Sequence, residues 1–270
     1  MTDTNRGDGP FAPRVVGVIH LPPLPGSARG GASGDLDALI DGASRDAAAW
    51  AEGGADALIV ENFGDAPFRK DVVEPHVVSA MTVAVLRVRE ASGLPVGVNV
   101  LRNDVLSAVS VAVMAGGSFV RANVYVGAAL TDQGLIEGRA AEVQDLIRRL
   151  GASVAVWADV DVKHAAPIAP RPLGDLAQDA VERGLASAAI VTGRATGQPA
   201  SLDDLRAVRE AVPGTPLYVG SGASAATIPS LLSVADGVIV GTAAKVDGVL
   251  ANPVDPERVR VMVAAALAPR

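Results

Sequence analysis

Two carboxylates and an amine occur at alternating positions around the end of one apolar run. Asp159 lies in the run SVAVWADV (153–160), and Asp161 and Lys163 follow it. Side chains two residues apart on an extended strand point to the same face, so this spacing predicts a cluster of charged groups. Carboxylates beside a cation are held at different pKa values, which provides an acid and a base in one site. One carboxyl group would protonate the leaving group of a glycosidic bond while the other activates water.

Two alternative interpretations of this cluster stay open. Lys163 would form a Schiff base with a carbonyl substrate, which is aldolase-type cleavage. Asp161 and His164 would instead cap the following helix, because helix N-caps favour Asp.

Lysine, histidine and asparagine are scarce in this chain, and many of them follow an apolar run. Charged groups in apolar strands are costly unless they are paired or lie at an exposed rim. An ion pair between Arg121 and Asp159 that only stabilises the interior is the structural alternative for these two residues. The predicted catalytic residues are His20, Glu61, Asp159, Asp161 and Lys163. The predicted substrate-binding residues are Asn62, Asn99, Arg102, Asn103, Arg121, Asn123, His164, Thr192 and Lys245.

Glycine-bearing strings end the last two apolar runs and predict phosphate binding. They are Gly220-Ser221-Gly222 and Gly241-Thr242, with Ser224 as a predicted helix N-cap after the first. Glycines let backbone N–H groups approach an anion, and a helix N-terminus adds positive potential. The alternative is that these glycines only permit tight turns.

The pattern predicts no organic cofactor and gives only weak support to a divalent metal, which stays an open alternative. Glu61, Asp159, Asp161 and the histidines have suitable donor atoms for a divalent metal, but no His-x-x-x-His or comparable spacing occurs. The glycine strings also lie far from a first strand–helix turn, where a dinucleotide fingerprint would stand.

Eight short apolar runs position these residues, and helix-length segments separate them. The runs cover 14–20, 57–62, 95–101, 118–124, 153–160, 187–193, 216–222 and 236–242. Nearly continuous apolar runs are typical of strands covered on both faces. A repeated plan before every second run favours a closed barrel over an open sheet. We predict a single (β/α)8 TIM barrel over 14–270, with phosphate-binding loops after strands seven and eight and a flexible N-terminal tail (1–13).

Composition restricts the partners. The 270 residues carry a formal net charge of −7 and no cysteine, which argues against a nucleic-acid binder and excludes disulfides. No apolar stretch reaches the ~18 residues that span a bilayer, and the polar start shows no signal peptide. We expect a cytoplasmic protein with a small phosphorylated substrate and no integral membrane segment. The sequence does not decide between a monomer and a homo-oligomer.

The predicted strands and their loops carry long, specific strings in chain order. They are GVIHLPPLPGS (17–27), IVENFGDAPF (59–68), GVNVLRND (97–104), FVRANV (119–124), TDQGLIEG (131–138), ADVDVKHA (158–165), TGRATG (192–197), VGSG (219–222), VGT (240–242) and KVDG (245–248). Together these strings resemble the BtpA/SgcQ family. The resemblance implies a TIM barrel and a link to photosystem I biogenesis at thylakoid membranes. For other members it implies sugar-utilisation contexts and nucleosidase labels, and it assigns no catalytic residue.

We therefore expect a nucleosidase-like hydrolase of a phosphorylated sugar or nucleoside-like compound, with a sugar-phosphate lyase as the first alternative. The second alternative is a non-catalytic factor for the biogenesis of a membrane complex such as a photosystem. A scaffold does not need acidic and basic side chains converging beside an anion site, and this favours the enzyme.

Overall fold

The computed structural model describes residues 11–30, 35–161, 165–193 and 200–268. Its strands are β1 (Val15–His20), β2 (Ala57–Glu61), β3 (Val96–Asn99), β4 (Phe119–Ala122), β5 (Ala128–Thr131), β6 (Gly134–Glu137), β7 (Ala155–Asp161), β8 (Ala165–Pro167), β9 (Ala188–Val191), β10 (Leu217–Val219) and β11 (Gly237–Val240). Eight of them form a closed parallel barrel in the order β1–β2–β3–β4–β7–β9–β10–β11. The predicted (β/α)8 barrel is therefore confirmed.

Helices lie between the barrel strands and cover their outer faces. They are α1 (Leu36–Glu52), α2 (Pro75–Ser92), α3 (Val105–Ala115), α4 (Ala140–Arg149), α5 (Leu173–Gln178), α6 (Leu202–Ala211), α7 (Ile228–Leu231) and α8 (Pro256–Leu267). Local sequence sets their ends: the Asp35 carboxylate accepts the N–H of Ala38 at the start of α1, and Gly93 ends α2 with a φ of 67°. None of the described helices has the length and apolarity needed to cross a membrane.

The barrel interior is a separate apolar layer made by alternate strand residues. Phe119, Trp157 and Tyr218 stack there with ring centroids 4.0 and 4.2 Å apart. Gly97 leaves room for this stack, because a Cβ at this position would lie 2.3 Å from the Phe119 ring. Phe11, in the predicted tail, lies with its ring centroid 6.0 Å from that of Phe119. Aromatic side chains thus fill the interior below the mouth.

One element was not predicted from the sequence. Strands β5, β6 and β8 form a three-stranded antiparallel sheet outside the barrel, in the order β6–β5–β8. Its strands come from the segments between β4 and β7 and directly after β7. It therefore lies beside the carboxyl ends of these two barrel strands.

Candidate active site

A cavity of about 690 Å³ opens at the carboxyl ends of the barrel strands, and we call it the main cavity. Its wall combines side chains from successive strands with the loops after β10 and β11. The predicted site residues that line it are His20, Glu61, Asn99, Arg102, Arg121, Asn123, Asp159, Thr192, Gly220, Ser221, Gly222, Gly241 and Thr242. Barrels of this fold carry their chemistry at this end.

Strand register brings the first three of these side chains together. His20 is the last residue of β1 and pairs with Glu61, the last residue of β2. Glu61 in turn pairs with Asn99, the last residue of β3. Each strand therefore delivers one polar side chain to the same level of the barrel mouth.

A buried ion cluster lies next to them. The Arg121 guanidinium contacts both Asp159 oxygens, at 3.1 to 3.3 Å, and Glu61 Oε1 at 3.4 Å. Amide groups hold the same carboxylates: Asn99 Nδ2 donates to Glu61 at 2.9 Å, and Asn123 Nδ2 donates to Asp159 at 2.7 Å. The ion pair that sequence analysis offered as a structural alternative is present, and it forms part of the cavity wall.

Burial and neighbouring charges shift the pKa values of the groups in this cluster. Burial raises the pKa of Asp159, although the Arg121 guanidinium and the Asn123 amide oppose this shift. Burial alone would lower the pKa of Arg121, but Asp159 and Glu61 outweigh it, and the pKa is raised. Arg121 is therefore a permanent cation that holds two carboxylates in place.

His20 has a different environment. Burial lowers its pKa below the usual 6.5, against the attraction of Glu61. Its ring meets the edge of Phe63 with a centroid distance of 5.0 Å. Gly241 leaves room for the ring, because a Cβ at this position would lie 2.5 Å from His20 Cε1. His20 Nδ1 is buried and has no hydrogen-bond partner among the described residues. A neutral imidazole in this position can accept or donate a proton.

The loops predicted to bind phosphate line the same cavity. Gly222 has a φ of 72°, which favours glycine, and Ser221 Oγ is buried without a hydrogen-bond partner among the described residues. A Cβ at Gly220 would lie 2.6 Å from Thr192 and 3.2 Å from the Arg121 guanidinium. Glycine at this position therefore lets the loop backbone approach the ion cluster.

The helix predicted to follow the first loop differs from expectation. Helix α7 is a single turn that begins at Ile228, and Ser224 bonds to Thr227 before it rather than capping it. After β11 the chain forms a 3-10 turn at Thr242–Ala244. Because so short a helix has a small dipole, an anion here would depend on the loop N–H groups.

The predicted pairing of Asp159 with Asp161 needs correction. Between them the pairing of β7 with β9 shifts, so Asp159 lies opposite Ile190 and Asp161 opposite the next residue, Val191. Such a bulge interrupts the alternation of faces on which the prediction rested. Asp161 instead lines a second cavity of about 230 Å³, the side cavity, which meets the main cavity at Asn123 and Asp159. The predicted Lys163 and His164 lie outside the described residues.

Three predicted substrate-binding residues turn away from the main cavity. Asn62 bonds both the N–H and the C=O of Leu101, and Asn103 does the same with Val124. Both side chains fix loop backbone, which satisfies buried peptide groups.

Lys245 is the third predicted substrate-binding residue that does not line the main cavity. Its ammonium lies 2.5 Å from Asp46, a residue of α1, and its side chain is only 3% exposed. It ties the loop after β11 to this helix instead of reaching the predicted phosphate site.

Sequence reasoning also missed part of the wall. Phe63, Phe68, Leu101, Ala223 and Ala243 line the main cavity. The two phenylalanines had a signal, since they share one loop in a chain with only 3% aromatic residues. The other three have apolar side chains without a polar or ionisable group, so residue type alone does not mark them as site residues.

The described residues include no group of three or more His, Asp or Glu side chains that could hold a metal ion. That no organic cofactor takes part stays a prediction, and a divalent metal stays an open alternative.

Comparison with known sequences places the chain in a family. The model of the BtpA family matches residues 12–268. The chain belongs to the BtpA family. It is 48% identical over 251 residues to the photosystem I biogenesis protein BtpA of Synechocystis sp., which covers 93% of this chain and 87% of that protein. The resemblance found in the motifs is therefore confirmed.

Solved structures share the fold of this BtpA-family chain. N-(5'-phosphoribosyl)anthranilate isomerase from Pyrococcus furiosus aligns with a TM-score of 0.56 and 14% identity, over 94% of this chain and 98% of that one. The 2-keto-3-deoxy-6-phospho-gluconate aldolase of Zymomonas mobilis aligns with a TM-score of 0.51 and 14% identity, over 94% and 91%. At this level of identity, the likeness concerns the fold alone.

Proposed function

We propose that this protein is an enzyme that transfers protons on a small phosphorylated substrate bound in the main cavity. One observation carries the proposal: a buried Glu61–Arg121–Asp159 cluster and two glycine-bearing loops line the same cavity. Removing charged groups from water is costly, and side chains grouped in this way are common in active sites. A protein that only assembles other proteins has no need of them.

The glycine loops support binding of the phosphate group. Ser221 Oγ has no hydrogen-bond partner among the described residues, and the N–H groups of Ser221, Gly222 and Ala223 reach no acceptor there. Several donors on one loop suit an anion with several oxygens. The loop after β11 faces the same cavity, as in the phosphate sites of other barrels.

The cluster and His20 support proton transfer. The carboxylates of Glu61 and Asp159 are held by Arg121, and burial keeps His20 neutral near pH 7. A carboxylate that accepts a proton and an imidazole that returns one would serve isomerisation or bond cleavage beside a carbonyl group.

Three more specific functions predicted from the sequence have less support: hydrolysis of a glycosidic bond, Schiff-base cleavage and photosystem biogenesis. Hydrolysis of a glycosidic bond gains no support from the comparisons. It would need Asp159, which Arg121 holds, together with Asp161, which the bulge in β7 separates from Asp159. The Schiff-base alternative depends on Lys163, which lies outside the described residues. Photosystem biogenesis is what the name of the cyanobacterial relative describes. For this chain it would require a protein-binding surface, which the main cavity does not explain.

Calorimetric titration with inorganic phosphate tests the proposal. We expect the wild type to bind phosphate, and Ser221→Asp to weaken binding by at least about tenfold, because the new carboxylate repels the anion. Ser187→Asp is the matched control, since exposed Ser187 directly precedes β9 at the opposite end of the barrel. Ser187→Asp should change the affinity for phosphate by less than about twofold, because screening weakens the repulsion over the distance between the two ends of the barrel. Equal effects of the two variants, or no phosphate binding by the wild type, would contradict the proposal.

A further inference from the structure

Asn123 has one polar atom that the fold does not use. The residue directly follows β4 and is only 6% exposed. Its Nδ2 donates to Asp159 Oδ2 at 2.7 Å, whereas its Oδ1 is buried and accepts no hydrogen bond from the described residues. Asn123 also lines both the main cavity and the side cavity. The unused acceptor therefore lies where the two cavities meet, beside the ion cluster.

The orientation of this amide follows from its neighbour. Burial raises the pKa of Asp159, but the Arg121 guanidinium donates to both of its oxygens, and this geometry fits the ionised carboxylate. An ionised carboxylate only accepts hydrogen bonds, so the amide must turn its NH₂ group to Asp159. Its carbonyl oxygen then has a fixed position, and the reversed orientation would set two oxygens against each other.

The chemistry of this atom selects what can bind beside it. A buried acceptor is satisfied by a donor and repels another acceptor. A hydroxyl group donates one hydrogen bond and fits a narrow position next to a carboxylate. A hydrogen atom in place of that hydroxyl would leave Asn123 Oδ1 desolvated and unpaired when the substrate binds.

We propose that Asn123 is a specificity residue whose Oδ1 accepts a hydrogen bond from a substrate hydroxyl group beside Asp159. The substrate class is then a hydroxylated phosphate monoester, and deoxy analogues bind more weakly. This inference rests on the proposed function, because the phosphate loops are taken to hold the other end of the molecule. To that function the inference adds the substrate hydroxyl group that is recognised and Asn123 Oδ1, the atom that recognises it.

Matched pairs of ligands test this role. The probes are ribose 5-phosphate with 2-deoxyribose 5-phosphate, glucose 6-phosphate with 2-deoxyglucose 6-phosphate, and glycerol 3-phosphate with 3-hydroxypropyl phosphate. We expect the wild type to prefer the hydroxylated member of at least one pair by about tenfold, as for a site that loses one buried hydrogen bond. Asn123→Leu, which has a similar shape, should bind both members of that pair equally.

A second variant separates hydrogen bonding from structural support. A neutral Asp at this position donates its hydroxyl to Asp159 and keeps a carbonyl oxygen in the cavity, whereas an ionised one repels Asp159. Asn123→Asp should therefore keep the hydroxyl preference at pH 5, where its carboxyl group is protonated. The preference is the ratio of the affinities for two phosphate monoesters. Because both carry the same phosphate group, the effect of its ionisation on affinity cancels in this ratio.

The outcomes distinguish the two proposals. Inorganic phosphate should bind to the wild type, and failure of the wild type to bind it would overturn the proposed function. Phosphate binding without a hydroxyl preference in any pair would overturn the role of Asn123 alone. A hydroxyl preference that survives unchanged in Asn123→Leu would do the same. A hydroxyl preference of Asn123→Asp at pH 5 supports the role even if Asn123→Leu does not fold.

Discussion

At the scale of single residues, His20 links folding to pH. Burial lowers its pKa in the folded protein, whereas the unfolded chain titrates near 6.5. Below pH 6.5 the unfolded state therefore binds more protons than the folded state, and stability is lost as the pH falls towards the folded pKa. Above pH 6.5 this contribution is fully present.

We predict that the free energy of unfolding falls more between pH 7.5 and 5.5 in the wild type than in His20→Gln. Urea unfolding at a series of pH values measures this difference, and other titrating groups cancel between the two proteins. NMR titration of the His20 ring gives the pKa directly. A value above 6.5, or parallel stability curves, would contradict the assignment.

Arg121 holds two buried carboxylates, and this leads to a second prediction. Arg121→Met leaves Glu61 and Asp159 without their cation, and we expect a loss of about 3–5 kcal/mol in the free energy of unfolding. Adding Glu61→Gln and Asp159→Asn to Arg121→Met removes the unpaired charges and should restore part of that loss. Chemical denaturation of the three proteins is the measurement. A single variant as stable as the wild type would show that the cluster is not electrostatically coupled.

At the scale of elements, the Lys245–Asp46 pair fastens the loop after β11 to α1. Asp46 also accepts the N–H of Val254, so its carboxylate is committed on both oxygens. We predict that Lys245→Met costs about 3 kcal/mol, because it leaves a largely buried carboxylate without its cation.

Lys70→Met is the matched control for that variant. Lys70 is half-exposed and lies 3.7 Å from Asp71, a geometry that stabilises by at most ~1 kcal/mol. Thermal unfolding of both variants gives the comparison. Similar melting temperatures for the two would show that the Lys245 pair is no more than a surface contact.

The elements also explain how far the sequence could predict the site. His20, Glu61 and Asn99 could be found because each ends an apolar run, and parallel register then places them side by side. Asn62 and Asn103 follow strands in the same way, but their side chains bind loop backbone, and residue type does not reveal that choice.

Two features of the strands differ from the geometry predicted from the sequence. The bulge in β7 comes from one added residue, which separates Asp159 from Asp161 and leaves no mark in the apolar pattern. The hairpin of β5 and β6 has a turn signal at Asp132, but its strands are too short for a clear alternation.

At the scale of the whole molecule, charge predicts the behaviour towards membranes. The chain has 30 acidic and 23 basic residues, and no described helix is suited to span a bilayer. Anionic lipid surfaces repel a net charge of −7. We predict that the protein stays with the aqueous fraction when vesicles of phosphatidylserine and phosphatidylcholine are floated at low salt. Co-migration with the vesicles would favour a role at a membrane complex instead.

We propose above that the barrel mouth binds a phosphate group between the loops at Gly220–Gly222 and Gly241–Thr242. A crystal structure of the protein grown in millimolar inorganic phosphate would show this anion. We expect it within hydrogen-bond distance of Ser221 Oγ and of the backbone N–H groups of both loops. An anion bound elsewhere, with both loops empty at high phosphate concentration, would contradict this proposal.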